Sequence, residues 1–437
     1  MIQVLFWGFT AKNLREAVSE ICEQNPNAIW VGKSKKCDFS IVDFYEYRID
    51  RLEDFTNIGV DIELDSDQKN RVYCVLQREF IAWQYSHIDL HQVMTFYVQW
   101  FSNFLLNKDI KKIWFAYIPH QGAELILYYV AKFLNIKTNM FYQSLFKNKV
   151  FLIEDIDALG EIFNEKGEYS LFAEKIEYGM PEQDLFYMKN LPKTELHWIW
   201  LYKHIKNRFK SVIKGKASLF SVVSLAHMGY MRRQWLKSQK NMIWDDIDIR
   251  EKEYIYFPLH LQPELTTDPL GGCFGDQALA IEQLRKKVPN QIAIVIKENP
   301  KQFYEWRGGD FLNRIRRLEN VFWVNSSFNT YSLLKNAKAV ATITGTAGWE
   351  AVIAGKPAIV FGAAWYKQLP GVFCFNEGDF SWENIVEFDA DFDSVQEKLD
   401  ILASHMPEIV TDLHYIAIFP EYDPDENKQA LIQLLSK

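Results

Sequence analysis

The stretch that most constrains the fold is residues 339–362, AVATITGTAGWEAVIAGKPAIVFG. Residues 339–343 form a short apolar run, the pattern of a strand buried on both faces. Gly345 and Gly348 let the chain turn, and residues 349–353 continue as a short helix. Gly355 ends that helix and Pro357 blocks its restart. Residues 359–361 read as the next buried strand. A helix that starts at a Gly/Thr turn presents unpaired N–H groups and the positive end of its dipole. Thr344 and Thr346 add hydroxyls there, so the turn is suited to phosphate; read alone, such a turn is more often an ordinary strand-to-helix connection with a Thr cap, and the neighbouring segments shift the balance.

Strands and helices alternate around this stretch. Strands are expected at 254–257, 292–297 and 321–324, with helices near 276–287, 311–318 and 330–336. Such alternation predicts a parallel sheet covered on both faces. Earlier in the chain, residues 4–7 read as a first strand. Asp89 is expected to cap a helix through Leu106 with Leu90, Met94, Tyr97, Phe101 and Phe104 on one face. Residues 112–117 read as a strand followed by a helix that buries Leu125, Tyr128 and Phe133 or their neighbours. Two helical patterns, 394–402 and 427–435, close the sequence around an EYDPDE turn.

A chain of 437 residues is too long for one ordinary core and suggests domains of roughly 200 residues each. We divide it into 1–200, a basic segment 201–244, a second α/β region 245–390 and C-terminal helices 391–437. The basic segment runs from Lys203 to Lys240 without Asp or Glu. It reads as a solvated interdomain linker or as a patch for peripheral contact with an anionic membrane. A net charge of -8 argues against a nucleic-acid partner. The apolar start MIQVLFW is too short for a membrane span and lacks a basic leader, so an intracellular, cytoplasmic protein is expected. The five cysteines are scattered, without the pairing of a zinc site, so free thiols and no metal are expected.

Three polar clusters follow strands of the second region. In FPLHLQPELTTD, residues 257–268, Pro258 and Pro263 stiffen a loop carrying His260, Gln262, Glu264, Thr266, Thr267 and Asp268. Turn chemistry explains Thr267 and Asp268 but hardly the whole set. In KENP, Lys297 ends an apolar strand, where an anion would compensate its charge. In GTAGWEA, Glu350 either favours the helix dipole or accepts hydrogen bonds from a ribose diol. At the end of the first region's strand at 112–117, His120, Gln121 and Glu124 occupy the edge where open α/β sheets bind ligands. Together these loops point to a nucleotide site. Lys297, Thr344, Thr346 and the amides near Gly345 and Gly348 would stabilise charge on a leaving phosphate. Glu264, His260, His120 and Glu124 are the candidates for activating an acceptor hydroxyl.

FPLHLQPELTT, KENP, TGTAGWEAVIAGKP and FGAAWY together resemble the bacterial capsule polysaccharide biosynthesis proteins, which include the Kdo transferases of capsule assembly. The resemblance is dense over residues 254–372. It implies a GT-B-like fold: α/β, with two Rossmann-like domains facing a cleft and C-terminal helices packing back. It implies a nucleotide-sugar donor on the C-terminal domain and a glycan or glycolipid acceptor facing the N-terminal one. Gln262 and Glu264 look like the family's polar loop, and GTAGWEA like its phosphate turn. Lys297, Glu298 and Pro300 match a KEHP-like motif in which Asn299 replaces a common histidine; asparagine donates a hydrogen bond but carries no charge. By resemblance the donor is CMP-linked, such as CMP-Kdo, with UDP- and CDP-linked donors second. No further cofactor is implied. A nucleotide-sugar epimerase of the same fold and a non-catalytic glycan-binding scaffold are the rival readings.

Overall fold

The computed structural model describes residues 3–80, 86–161, 176–180, 206, 237, 249, 251–302, 307, 309–376, 380–418 and 421–437. The basic segment 201–244 therefore lies outside the described residues, apart from positions 206 and 237.

The first sheet contains β1 (Val4–Trp7), β2 (Ala28–Gly32), β3 (Phe39–Ser40), β4 (Lys112–Phe115), β5 (Lys137–Gln143) and β6 (Val150–Ile153). Their order is β3-β2-β1-β4-β5-β6, parallel except where β6 runs against β5. The second sheet contains β7 (Tyr254–Pro258), β8 (Ala293–Lys297), β9 (Val321–Val324), β10 (Ala339–Thr342), β11 (Ala358–Val360) and β12 (Val372–Cys374). Its order is β12-β11-β10-β7-β8-β9, and its pairings are parallel. Renumbered within each half, both orders are 3-2-1-4-5-6. That is the doubly wound Rossmann arrangement, and the chain is a pair of Rossmann-like domains. The strand order reverses between β1 and β4 and again between β7 and β10. Ligand crevices open at such points, outside the carboxyl ends.

Helices of the first half are α1 (Lys12–Gln24), α2 (Ile41–Tyr45), α3 (Ser66–Phe80), α4 (His87–Asn107) and α5 (Gly122–Phe133). The cap of α4 is Ser86, not Asp89: Ser86 Oγ accepts from Asp89 N at 3.2 Å, and Asp89 Oδ2 accepts from Ser86 N at 2.7 Å. Asp89 is thus the reciprocal partner of a capping box, three residues inside. Leu90, Met94, Tyr97, Phe101 and Phe104 are buried as the periodicity requires. In α5, Leu125 and Tyr128 are buried, but Phe133 is 51% exposed because it closes the helix beyond the sheet.

Helices of the second half are α6 (Gln277–Lys287), α7 (Gly309–Arg316), α8 (Thr330–Asn336), α9 (Thr346–Ile353), α10 (Trp382–Glu387), α11 (Phe392–Ser404) and α12 (Pro424–Leu435). EYDPDE is less a turn than a helix start. Asp423 accepts from Asp425 N and Glu426 N, and Pro424 occupies the first turn, where it needs no partner. α9 begins three residues before the expected position. Gly345 has an ordinary φ of -76°, so its small size rather than its backbone freedom matters. Gly355 does adopt φ +69° and terminates α9.

The tail returns to the first domain. Val150 N donates to Pro407 O at 3.1 Å, and Gln143 Oε1 accepts from Thr411 N at 2.9 Å. Asn13 in α1 donates to Tyr422 at 3.0 Å, and Lys428 in α12 pairs with Glu20 at 2.7 Å. The domains also share an aromatic core. Trp365, 5% exposed, lies 5.4 Å edge-on to Phe146 of the first domain and 5.1 Å from Trp349 of α9. Among the described residues no helix is long and apolar enough to cross a membrane.

Candidate functional site

The crevice between β7 and β10 is organised by His260. Its Nε2 lies 2.7 Å from Thr342 Oγ1 and accepts from Ile343 N at 3.3 Å. Thr342 Oγ1 in turn accepts from Gly345 N at 3.2 Å. A Cβ on Gly345 would stand 2.7 Å from the imidazole, which explains the glycine there. Burial, with the Arg307 charge nearby, pushes the His260 pKa down to about 3. The ring is a neutral strut joining two loops, and its Nε2 is engaged with the backbone.

Gln262 is held from every side. Its N donates to Gln302 Oε1 at 2.8 Å and its Nε2 to Gly275 O at 2.5 Å. Its Oε1 accepts from Gln277 at 3.0 Å and from Arg307 Nη1 at 3.1 Å. Arg307 also donates to His260 O at 2.7 Å and forms a buried ion pair with Glu298 at 2.6 Å. A guanidinium with five donors suits this junction of the loops after β7 and β8. Asn299 shapes the adjacent turn: its N donates to Glu298 at 2.8 Å and its Oδ1 accepts from Lys301 N at 2.9 Å.

Lys297, 9% exposed, donates to Thr330 Oγ1 at 2.6 Å, where α8 begins. Thr344 donates to Thr266 O at 2.7 Å and so ties the β10 loop to the β7 loop. Thr346 opens α9 and is half-buried, as is Glu350 one turn on. Gly348 packs beneath Tyr366, whose hydroxyl donates to Gly345 O. The structure thus draws His260, Gln262, Glu298, Thr342 and Gly345 into one bonded network, with Thr344 tying the β10 loop to Thr266 beside it. Lys297 and Glu350 stand on neighbouring elements of the same carboxyl edge.

The first domain reaches this edge through α3. Arg71 Nη1 donates to Pro269 O at 2.6 Å. Arg78, two turns on, donates to His120 O at 2.7 Å and to Pro263 O at 3.4 Å. One guanidinium therefore brings His120 beside Pro263 and Glu264 across the cleft. The Glu264 side chain is exposed, and its backbone N and O are held by Thr267. His120 Nδ1 lies 2.9 Å from Ile118 O. A carbonyl accepts only, so Nδ1 carries the proton and Nε2 the lone pair. Glu124 is differently employed. Its Oε1 accepts from Trp7 Nε1 at 3.2 Å and from the Tyr45 hydroxyl, and its Oε2 accepts from His120 N at 3.2 Å and Gln121 N at 3.3 Å. Glu79 of α3 takes the Gly122 N–H at 3.0 Å. The start of α5 is thereby filled by two carboxyl groups.

Two cavities lie where the domains meet. One, of about 320 Å³, is bounded by Arg71 and Asp157, the Leu270–Phe274 loop, Lys367 and the ends of β11 and β12. The other, of about 260 Å³, is lined by Asn70, Arg71 and Cys74 of α3 and by Gln262, Asp268, Arg307 and Arg314. Arg307, Gln277, Thr342, Arg71 and Arg78 are the residues that the sequence reading did not single out. The seven-residue step from Arg71 to Arg78, one helix face, was the available signal for two of them.

Residues 223–402 match the family described as "Capsule polysaccharide biosynthesis protein". No curated protein matches the chain. Among solved structures, the chain is similar to the beta Kdo 2,7 transferase KpsC of Thermosulfurimonas dismutans at 11% identity and TM-score 0.33, covering 80% of this chain and 97% of that one. It is similar to the beta Kdo 2,4 transferase KpsC of that organism at 12% identity and TM-score 0.32, covering 67% and 79%. It is also similar to the UDP-GlcNAc 2-epimerase of Methanocaldococcus jannaschii at 10% identity and TM-score 0.24, covering 100% of each chain.

Proposed function

Because the segment that matches the capsule polysaccharide biosynthesis family spans the whole second sheet, we propose that this chain is a glycosyltransferase of capsule or surface polysaccharide assembly. It takes a sugar from a nucleotide-sugar donor on the carboxyl edge of the second sheet and passes it to a glycan or glycolipid acceptor presented by the first domain. The observation that carries this reading is the convergence of the loops after β7, β8 and β10 on one network that faces α3 and His120.

In this reading Lys297, Asn299, Thr346 and the amides at the start of α9 hold the donor phosphate and take up charge as it leaves. Glu350 accepts the ribose hydroxyls. Gln262, Thr344, Gly345 and Gly348 keep the two loops in register. His120 is the base: its Nδ1–H is fixed by Ile118 O, so its Nε2 faces an acceptor hydroxyl with its lone pair. The acceptor oxygen bonds to the anomeric carbon, its proton passes to His120, and the bond to the nucleotide phosphate breaks. Glu264, exposed on the opposite lip, orients the acceptor. Glu124 fixes the His120 backbone, and His260 fixes the β10 loop. Fixed hydrogen-bond donors perform the electrostatic work. A CMP-linked donor is the first choice, followed by UDP- and CDP-linked donors.

The test is turnover by the full chain with CMP-, UDP- and CDP-linked sugars, each with and without oligosaccharide or glycolipid acceptors. Transfer that requires an acceptor supports the reading. Conversion of a donor alone identifies an epimerase instead. Binding without turnover of any donor leaves a scaffold.

A further inference from the structure

Asp268 is buried in an unusual way. It is 2% exposed, and neither carboxylate oxygen has a hydrogen-bond partner among the described residues. The Thr267 hydroxyl beside it donates to Glu264 O at 3.1 Å, which uses its one proton. Turn chemistry therefore accounts for Thr267 but not for Asp268. Desolvating such a group without donors is costly, and folded chains rarely tolerate it without a reason.

The residue lines the cavity of about 260 Å³ between α3 and the second domain. The cations there are already matched. Arg71 serves Asp67, Asp157 and Pro269 O. Arg307 serves Glu298, and Arg314 serves Asp276 and Glu282. What the cavity lacks is not an anion but hydrogen-bond donors for one carboxyl group. Its volume falls below the roughly 300–1,000 Å³ of sites that enclose drug-sized ligands. It suits one sugar ring better than a nucleotide.

We propose that this interdomain cavity is a saccharide subsite in which Asp268 accepts hydrogen bonds from neighbouring hydroxyls of one pyranose ring. The ring is the sugar of the donor or the terminal sugar of the acceptor, an identification that rests on the glycosyltransferase reading. Hydroxyl donors would favour the ionised carboxylate. Burial, opposed by Arg78 and by the neighbouring Thr267 hydroxyl and reinforced by Glu264, holds the carboxyl at about 7. Saccharide binding at neutral pH should therefore release a proton.

The experiment is calorimetry on the full chain and on Asp268→Asn, with Asp268→Ser as a second variant. The probes are CMP and UDP, CMP-Kdo and UDP-N-acetylglucosamine, and free Kdo, glucose and galactose. Each is titrated at pH 7 in buffers of different ionisation enthalpy. Asparagine keeps the side-chain volume and removes an uncompensated charge, and ligand-free melting is recorded alongside. We expect Asp268→Asn to weaken a sugar-bearing probe by about tenfold or more, to abolish proton release and to leave CMP and UDP unchanged. Loss confined to nucleotide sugars assigns the donor's ring. Loss confined to free saccharides assigns the acceptor's. Unchanged affinity for every sugar-bearing probe overturns the subsite, as does equal weakening of the bare nucleotides or failure of every sugar-bearing probe to bind the wild type. Asp268-dependent saccharide binding without any nucleotide binding would keep the subsite and remove the transferase reading. Binding of nucleotide sugars and free saccharides that is indifferent to Asp268, alongside nucleotide binding, would do the reverse.

Discussion

Two buried side chains give the protein opposite responses to pH. The Asp268 carboxyl is raised to about 7, so the folded chain keeps a proton that the unfolded chain releases near pH 4. That stabilisation is complete below pH 4 and is lost as pH rises through 7. Asp268→Asn should therefore be more stable than the wild type at pH 8, by roughly a few kcal/mol, with the gap narrowing at pH 5. Urea denaturation across this range checks the prediction, and a less stable variant at pH 8 would contradict it. His260 runs the other way, because its pKa is lowered to about 3. Its contribution is present above pH 6.5 and disappears as pH falls toward 3. His260→Ala leaves the Ile343 N–H unpaired and opens a void, and we expect a loss of about 2–4 kcal/mol at pH 7, measured by the same method. In the proposed transfer reaction His120→Asn affects the chemistry instead. It should lower kcat by about a hundredfold or more with nucleotide affinity intact in calorimetry.

Local patterns predict elements well where the pattern is self-sufficient. β1, β9 and α8 fall where the sequence reading put them, since apolar runs and punctuation decide them. The strands β2, β3, β5, β6 and β12 were not foreseen. β5, KTNMFYQ, mixes polar and apolar residues, and only its place between β4 and β6 makes it a strand. The glycines of the α9 turn teach the same lesson. They looked like conformational necessities, yet Gly345 makes room for the His260 ring and Gly348 for Tyr366. Neither partner is near in sequence. Gly348→Ala should destabilise the chain by about 1–3 kcal/mol through overpacking, and nucleotide affinity should fall with it. A melting curve as high as that of the wild type would refute this. In the site, the polar loop flagged Gln262, but its partner Arg307 comes from a stretch with no periodicity to announce it. Asp268 is a turn residue by its backbone, whose N–H donates to Glu264 O, but its carboxylate takes no part in the turn.

Across the two domains, cohesion depends on Trp365 and on the α3 arginines. Trp365 bridges Phe146, Phe151 and Trp349, and truncating a buried tryptophan costs about 3–5 kcal/mol. Trp365→Ala should also separate the calorimetric unfolding into two transitions, one per domain. A single transition would show that the returning tail alone suffices to couple them. The shared strand order of the two sheets hides a division of labour. α5 and α9 follow the fourth strand of their respective halves, so they are topological counterparts. Carboxyl groups from Glu79 and Glu124 already claim the opening amides of α5, whereas a threonine hydroxyl meets Gly345 ahead of α9. A polyanion entering between the lobes is repelled from one wall and tolerated by the other. In the proposed reaction, orientation of a two-part substrate would thus be biased by electrical polarity before shape complementarity comes into play.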